Sequence, residues 1–298
     1  MQVDEPPGEG ELLSMCAVGI CATDLSYLRM GTRCVLGHEL VGSRPDGTAV
    51  AIEALYGCGT CEHCLDGRVN LCTVAIARSL GIVEDGGMVE GFRAPSARLV
   101  PLPSAIDPRD GALVEPLAVA CHGLRLGGGG VGARVAVVGG GPVGVLSGVV
   151  AQAQGAVAVD LQARHPHQHE VRERLGMGEP EGVYDLVVEA AGSIDSIGRC
   201  LELVRPGGTV VVLGVLGRAM EVPFQPFLLK EVSVRASIGY CDHDHGSDMR
   251  DAASLLAARP DIADAVISHR FPIDDAAEAF RTASDRSKGV MKVVVEVG

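Results

Sequence analysis

The sequence predicts an α/β protein whose central portion is a doubly wound parallel sheet. Three observations carry that prediction. From about residue 113 onward, apolar runs of strand length alternate with helical stretches. A glycine-rich turn, Gly139-Gly140-Gly141-Pro142-Val143-Gly144, stands between one such strand and a helix. The 298 residues are 47% hydrophobic yet only 3% aromatic, without a Trp, so the core is built from Val, Ala, Leu and Ile, as in parallel sheets buried on both faces.

Residues 1–118 are rich in Gly, Pro and Cys; short strands are expected there, and the helical signal is weak. Leu113–Leu124 turns helical. Arg134–Val138 reads as a short buried strand, and Val143–Gln154 as the helix after the glycine turn. A second strand spans Val157–Ala163, a charged helical stretch Glu170–Leu175, and a third strand Tyr184–Glu189. The turn Arg205-Pro206-Gly207-Gly208 precedes a strand over Val210–Gly214. An amphipathic helix over Ile273–Thr282 and a last strand, Met291–Glu296, close the chain, and no internal repeat is visible.

The formal charge of -13 opposes binding to nucleic acid or an anionic membrane surface, and no basic patch interleaved with aromatics offsets it. The acidic, Pro/Gly-rich start has no apolar signal core, and no apolar run reaches membrane-spanning length. Ten cysteines without an export signal imply a reducing, cytoplasmic setting, where clustered thiols hold metal more often than they pair.

Four of them, Cys58, Cys61, Cys64 and Cys72, read C-x2-C-x2-C-x7-C on one short loop, the donor set of a closed tetrahedral zinc site. Gly57, Gly59, Thr60 and Gly67 let the backbone fold tightly around an ion. Such a site organises a loop and does no chemistry. Cys16, Cys34, Cys121, Cys200 and Cys241 are expected to be buried small apolar residues. The run Asp242-His243-Asp244-His245 looks metal-like but is expected to be a solvated loop.

In the glycine turn, Gly139 makes the tight bend, Gly141 lets the backbone approach a pyrophosphate, and Gly144 packs helix on strand. Pro142 and Val143 open the helix whose N-terminus faces the phosphates. An acid at the end of the next strand would bind both ribose hydroxyls and favour NAD. Asp160 lies mid-strand, and the strand end carries Ala163, Arg164 and His165 instead. Arg164 can pair with a 2′-phosphate, so NADP(H) is favoured over NAD(H).

Upstream, Cys21, Thr23 and Asp24 in GICATD, His38 and Glu39 in GHE, and Glu115 in LVEPLA supply one thiolate, one imidazole and carboxylates. A catalytic zinc keeps about three protein ligands and one open position. With the four-cysteine lobe, VEPLAVACHG (114–123), GGGPVG (139–144), VEAAG (188–192) and RPGG (205–208), these segments make the chain resemble zinc-dependent medium-chain dehydrogenases, the alcohol dehydrogenase superfamily. It is most similar to the sorbitol, threonine and glucose dehydrogenase branch, over nearly its whole length.

That resemblance implies a GroES-like β-rich catalytic domain (1–118 and 257–298, with the zinc lobe at 57–73) and an inserted Rossmann coenzyme domain (119–256). It implies two zinc ions per chain, one catalytic and one structural. Cys21, His38 and Glu115 occupy catalytic-zinc positions, and Glu39 is either a direct ligand or an alternate that exchanges with water. Asp24 orients His38. Thr23 matches the first hydroxyl of a proton relay; Ser26 stands where many relatives place a relay histidine. Tyr27 and Tyr240 fall where the polyol branch lines its substrate pocket, although an ordinary core or rim role suits them equally. The family places its ribose-binding acid where this chain has Ala163.

Zinc-dependent hydride transfer between NADP(H) and an alcohol, polyol or sugar, in either direction, is therefore the expected activity. A homodimer or homotetramer is expected, since the last strands of such coenzyme domains pair across a two-fold. The chain is shorter than its relatives, lacking their first strands and compressed between His38 and Cys58. That shortening motivates an alternative, a non-catalytic zinc- and dinucleotide-binding sensor or scaffold. A zinc-free enone or quinone reductase is a third reading, opposed by the same ligand set.

Overall fold

In the computed structural model, which describes residues 9–215 and 222–298, the chain forms two compact units. The first runs to Glu115 and resumes at Tyr240; the second is Pro116–Gly239. The first begins with β1 (Glu11–Ile20), α1 (Ala22–Arg29), β2 (Glu39–Ser43) and β3 (Ala49–Ile52). Short helices α2 (Glu62–Leu65) and α3 (Thr73–Ala77) follow, then β4 (Gly91–Ala94) and β5 (Leu99–Pro101). Helix α4 (Val114–Leu126) leads into the second unit, where β6 (Arg134–Val138), α5 (Pro142–Ala153), β7 (Ala158–Gln162), α6 (Pro166–Arg174) and β8 (Tyr184–Glu189) alternate. It continues through α7 (Ser196–Leu203), β9 (Val204–Val212), α8 (Phe224–Leu229) and β10 (Ser233–Ala236). Back in the first unit come β11 (Asp242–His243), β12 (Gly246–Ser247), α9 (Asp248–Ala258), α10 (Asp261–Val266), β13 (Ile267–Pro272), α11 (Ala276–Ser284) and β14 (Lys292–Glu296).

The second unit is a parallel sheet in the order β10-β9-β8-β6-β7. Its central strands β6 and β8 carry the apolar runs 135–138 and 186–188, buried on both faces. The edge strand β7 alternates, and its outer side makes one isolated bridge, Asp160 to Gly178. The first unit holds a seven-stranded sheet, β13-β14-β1-β2-β3-β5, with β4 also on β1. Leu13, Met15, Leu40, Val50 and Ile52 pack into one core there; Ala17, Val41, Ala112 and Val294 form another.

Several expectations change. Residues 240–256 pack with the first unit, not the second: the Ala54 N–H donates to the Tyr240 hydroxyl at 2.7 Å, and the Asp242 N–H to the Gly67 carbonyl at 2.9 Å. Arg205–Gly208 lies inside β9, where Gly207 at φ +68° and a register shift absorb the irregularity without ending the strand. Helices α1, α2 and α3 punctuate the N-terminal segment, where the helical signal is weak and short strands were expected. Residues 242–247 form a small hairpin, and His243 Nε2 stands 3.0 Å from Asp251. Cys16 and Cys34 are half-buried, while Cys121, Cys200 and Cys241 are buried as expected.

Candidate active site and metal centres

The four-cysteine loop folds back on itself around α2. The donor sulfurs of Cys58, Cys61, Cys64 and Cys72 lie within 4.8 Å of one another. Backbone N–H groups face them: Cys61 N–H donates to Cys58 Sγ at 3.3 Å, and Cys58 N–H to Cys72 Sγ at 3.5 Å. Thr60, through its N–H and its hydroxyl, brings the Cys58 thiol down to about 6, whereas burial pushes Cys64 up to about 11. Gly57 is required by packing, since a Cβ there would stand 2.5 Å from Cys64 Sγ. Four converging sulfurs, two of them met by the backbone N–H groups just named, can hold a zinc ion.

The second cluster grows from the junction of β1, α1 and β2. Cys21 is the N-cap of α1, and Asp24, at the third helical position, accepts its N–H at 2.8 Å. The other Asp24 oxygen accepts the Gly37 N–H at 3.2 Å and lies 3.3 Å from His38 Nδ1. One buried carboxylate thus ties the loop before β2 to the start of α1 and stands beside the imidazole, whose Nδ1 makes no hydrogen bond among the described residues. Burial opposes a charge on His38, but Asp24 and Cys21 outweigh it and hold the imidazole well above its ordinary value.

Donor atoms of Cys21, His38 and Glu39 converge within 4.8 Å. Glu115, one residue into α4, feels the fields of His38 and Glu39, and burial pushes its carboxyl up to about 7. The expected ligands are therefore gathered in one unit, with Cys21, His38 and Glu39 forming the tight group. Glu39 has a partner that sequence reasoning missed: the buried Lys292 of β14 donates to its Oε1. Burial opposes that ammonium, yet Glu39 and Cys21 together raise Lys292 above its ordinary value. The signal was one lysine inside the apolar run Met291–Val295.

The other expected site residues divide. Thr23 and Tyr27 are half-buried on α1. Ser26 is exposed, and its hydroxyl donates to the Ala22 carbonyl at 3.0 Å, so it closes a helical turn. Tyr240 is 2% exposed and its hydroxyl accepts the Ala54 N–H.

In the second unit, the glycine turn joins β6 to α5. Gly139 adopts φ +125°, and a Cβ there would stand 2.6 Å from Ala191 N; one on Gly144 would stand 1.9 Å from Gly139 O. Both are glycine for packing reasons. Gly141 differs: nothing lies within 4 Å of where its Cβ would be. The protein gives no steric reason for glycine there, whereas a ligand laid on the backbone at the N-terminus of α5 would. Pro142 and Val143 are the first residues of that helix. In the middle of β7, Asp160 accepts the Tyr184 hydroxyl at 2.8 Å. Arg164 is exposed, with no carboxylate partner among the described residues. His165 caps α6, and Gln168 Oε1 accepts the N–H of Arg164 at 2.9 Å.

A family profile described as alcohol dehydrogenase GroES-like domain matches residues 8–104, and one described as zinc-binding dehydrogenase matches residues 179–258. Sorbitol dehydrogenase of Macaca fascicularis is 32% identical, across 94% of this chain and 87% of that protein. The chain is a zinc-binding, medium-chain dehydrogenase of the alcohol dehydrogenase superfamily. Its similarity extends to the L-idonate 5-dehydrogenase (NAD(P)(+)) of Escherichia coli, 29% identical over 94% of this chain and 90% of that one. Among solved structures, E. coli L-idonate 5-dehydrogenase superposes with a TM-score of 0.88 at 28% identity, covering 97% of this dehydrogenase and 91% of that one. A zinc-binding dehydrogenase from Sinorhizobium meliloti bound to NADP gives 0.85 at 32% identity, covering 97% and 93%. The relatives bear out the α/β architecture of GroES-like and Rossmann-type units.

Proposed function

We propose that this dehydrogenase transfers hydride between NADP(H) and a hydroxyl of a polyol or sugar acid, or the matching carbonyl, at a zinc ion held by Cys21, His38 and Glu115. The observation that carries the reading is the convergence of Cys21, His38 and Glu39 donors beside a Glu115 carboxyl that burial pushes up to about 7. A cation completes that group. Zinc supplies Lewis acidity that eases deprotonation of an alcohol, and the dinucleotide supplies the hydride acceptor.

The chain's own residues do the rest. Asp24 fixes the His38 ring, and α1 places Thr23 two residues after Cys21, where its hydroxyl receives the substrate proton. Ser26 donates to Ala22, yet its oxygen keeps a lone pair that can accept from the next carrier. Gly141 and the N-terminus of α5 seat the pyrophosphate. Arg164 and His165 meet a 2′-phosphate, since Asp160 is already engaged with Tyr184. The NADP-bound Sinorhizobium neighbour and the dual cofactor naming of the E. coli L-idonate enzyme support this assignment. Cys58, Cys61, Cys64 and Cys72 hold a second, structural zinc. None of the ten cysteines is paired in a disulfide, which fits a cytoplasmic setting. The exposed β10 edge fits a homodimer or homotetramer.

Metal analysis and turnover with a panel of ketoses, sugar acids and secondary alcohols test the proposal. Two zinc ions per chain and faster turnover with NADPH than NADH are expected. Arg164→Ala should erase most of that preference, and Glu115→Ala should lose activity while keeping the four-cysteine metal. Cofactor binding without turnover of any substrate would point instead to the sensor reading.

A further inference from the structure

The sheet of the first unit aligns three residues on neighbouring strands. Glu39 on β2 lies opposite Gly19 on β1, and Gly19 lies opposite Val294 on β14. Side chains two apart on a strand share a face, so Lys292 points to the same side as Val294. The middle position is glycine, and a Cβ there would stand 1.9 Å from Glu39 Oε2. That gap lets the Glu39 carboxylate lie over β1 and lets the Lys292 ammonium reach it from two strands away. The ammonium also donates to the Ile20 carbonyl at 3.2 Å. Lys292 is 3% exposed and Glu39 1%. Meanwhile Glu39 Oε2 is buried without a hydrogen-bond partner, and one Glu39 oxygen stands within 4.8 Å of the Cys21 and His38 donors.

We infer that Lys292 is a positioning residue that ties Glu39 back against β1 and so reserves the last coordination position at the Cys21–His38 metal for substrate. The inference rests on the metal reading given above. A buried carboxylate binds the nearest cation, and two are available to Glu39: the ammonium and the metal. With Lys292 in place the ammonium takes it. Without Lys292 the only remaining cation is the metal, and Glu39 fills the position that an alcohol needs. Glycine at 19 belongs to the same device, because any side chain there would displace the carboxylate.

Cobalt(II) replaces zinc to read the coordination directly, and subtracting the spectrum of cobalt-loaded Cys21→Ala removes the four-cysteine contribution. The wild type should show the intense visible bands of a four-coordinate ion and bind imidazole at the open position. Lys292→Met should shift those bands as a carboxylate oxygen takes the open position, and imidazole affinity should fall by ~10-fold or more, the scale seen when an outer partner of a metal ligand is lost. Lys292→Arg should keep the wild-type spectrum, and adding Glu39→Gln to Lys292→Met should restore it. If Lys292→Met proves insoluble, Lys292→Gln, which can still donate to the Ile20 carbonyl, takes its place. Two bound metals with an unchanged spectrum and imidazole titration in the uncharged variant would overturn the inference and leave the proposed function standing. A wild type whose bound cobalt is unchanged by Cys21→Ala, so that no metal sits at the Cys21–His38 group, would overturn both.

Discussion

At the scale of single residues, burial separates those that act from those that hold. Tyr240 sits next to the substrate position by resemblance, yet it is buried and its oxygen accepts a backbone N–H. Tyr240→Phe should therefore cost about 1–3 kcal/mol in urea unfolding, because the Ala54 N–H is left unsatisfied, with little change in kcat or KM. A large KM effect without loss of stability would return it to the pocket. Glu53 offers a test by pH. Burial raises its carboxyl above the ordinary 4.5, with Arg98, 3.0 Å away, pulling the other way. The folded state thus binds this proton more tightly than the unfolded one. Glu53's contribution to stability falls as pH rises from 4.5 through its raised folded value. Glu53→Gln should flatten that part of the unfolding midpoint's pH profile; an unaltered slope would refute the assignment.

Elements set how much could be read in advance. Arg134–Val138 and Tyr184–Glu189 match β6 and β8 residue for residue, because short valine-rich runs bounded by glycine or charge have one natural reading. The four-cysteine lobe was legible for the same reason: its donors are local. Lys292 and Glu39 are separated by 253 residues, and no spacing rule links them. Arg205–Gly208 misled because a turn sequence can be absorbed inside a strand when Gly207 takes the left-handed region. The lobe itself makes a prediction. Gly57→Ala would set a methyl 2.5 Å from Cys64 Sγ and 2.7 Å from Val69. It should weaken zinc retention in the lobe and open residues 57–73 to protease, with the Cys21 site still loaded. Equal loss of both metals would contradict the independence of the two centres.

For the whole molecule, composition excluded partners more sharply than it chose a substrate. The charge of -13 opposes polyanions, and among the described residues no helix is long and apolar enough to cross a membrane. The second unit ends its sheet on β10, all four of whose residues are exposed. Val234 on β10 and Ile238 just after it are exposed, with Phe224, Leu228 and Leu229 on α8. An open strand edge with that much apolar surface is unusual for a monomer. Val234→Lys should reduce the mass measured by sedimentation to that of a single chain; an unchanged mass would move the interface elsewhere. The substrate was not legible, since the metal-ligand spacing that marks the family says nothing about the side chains that select an alcohol.

The bond between Ala54 and Tyr240 joins residues 186 positions apart. Together with the Asp242–Gly67 contact, it sets an order of events during synthesis. Cys58 to Cys72 leave the ribosome early, but the backbone groups beside them wait for the last quarter of the chain. The whole of Pro116–Gly239 must be made in the interval. Contacts this distant are slow to form. The early lobe is therefore a stretch of unprotected thiols until its late partners arrive, and zinc captured in that window would guard them from oxidation before the sheet closes.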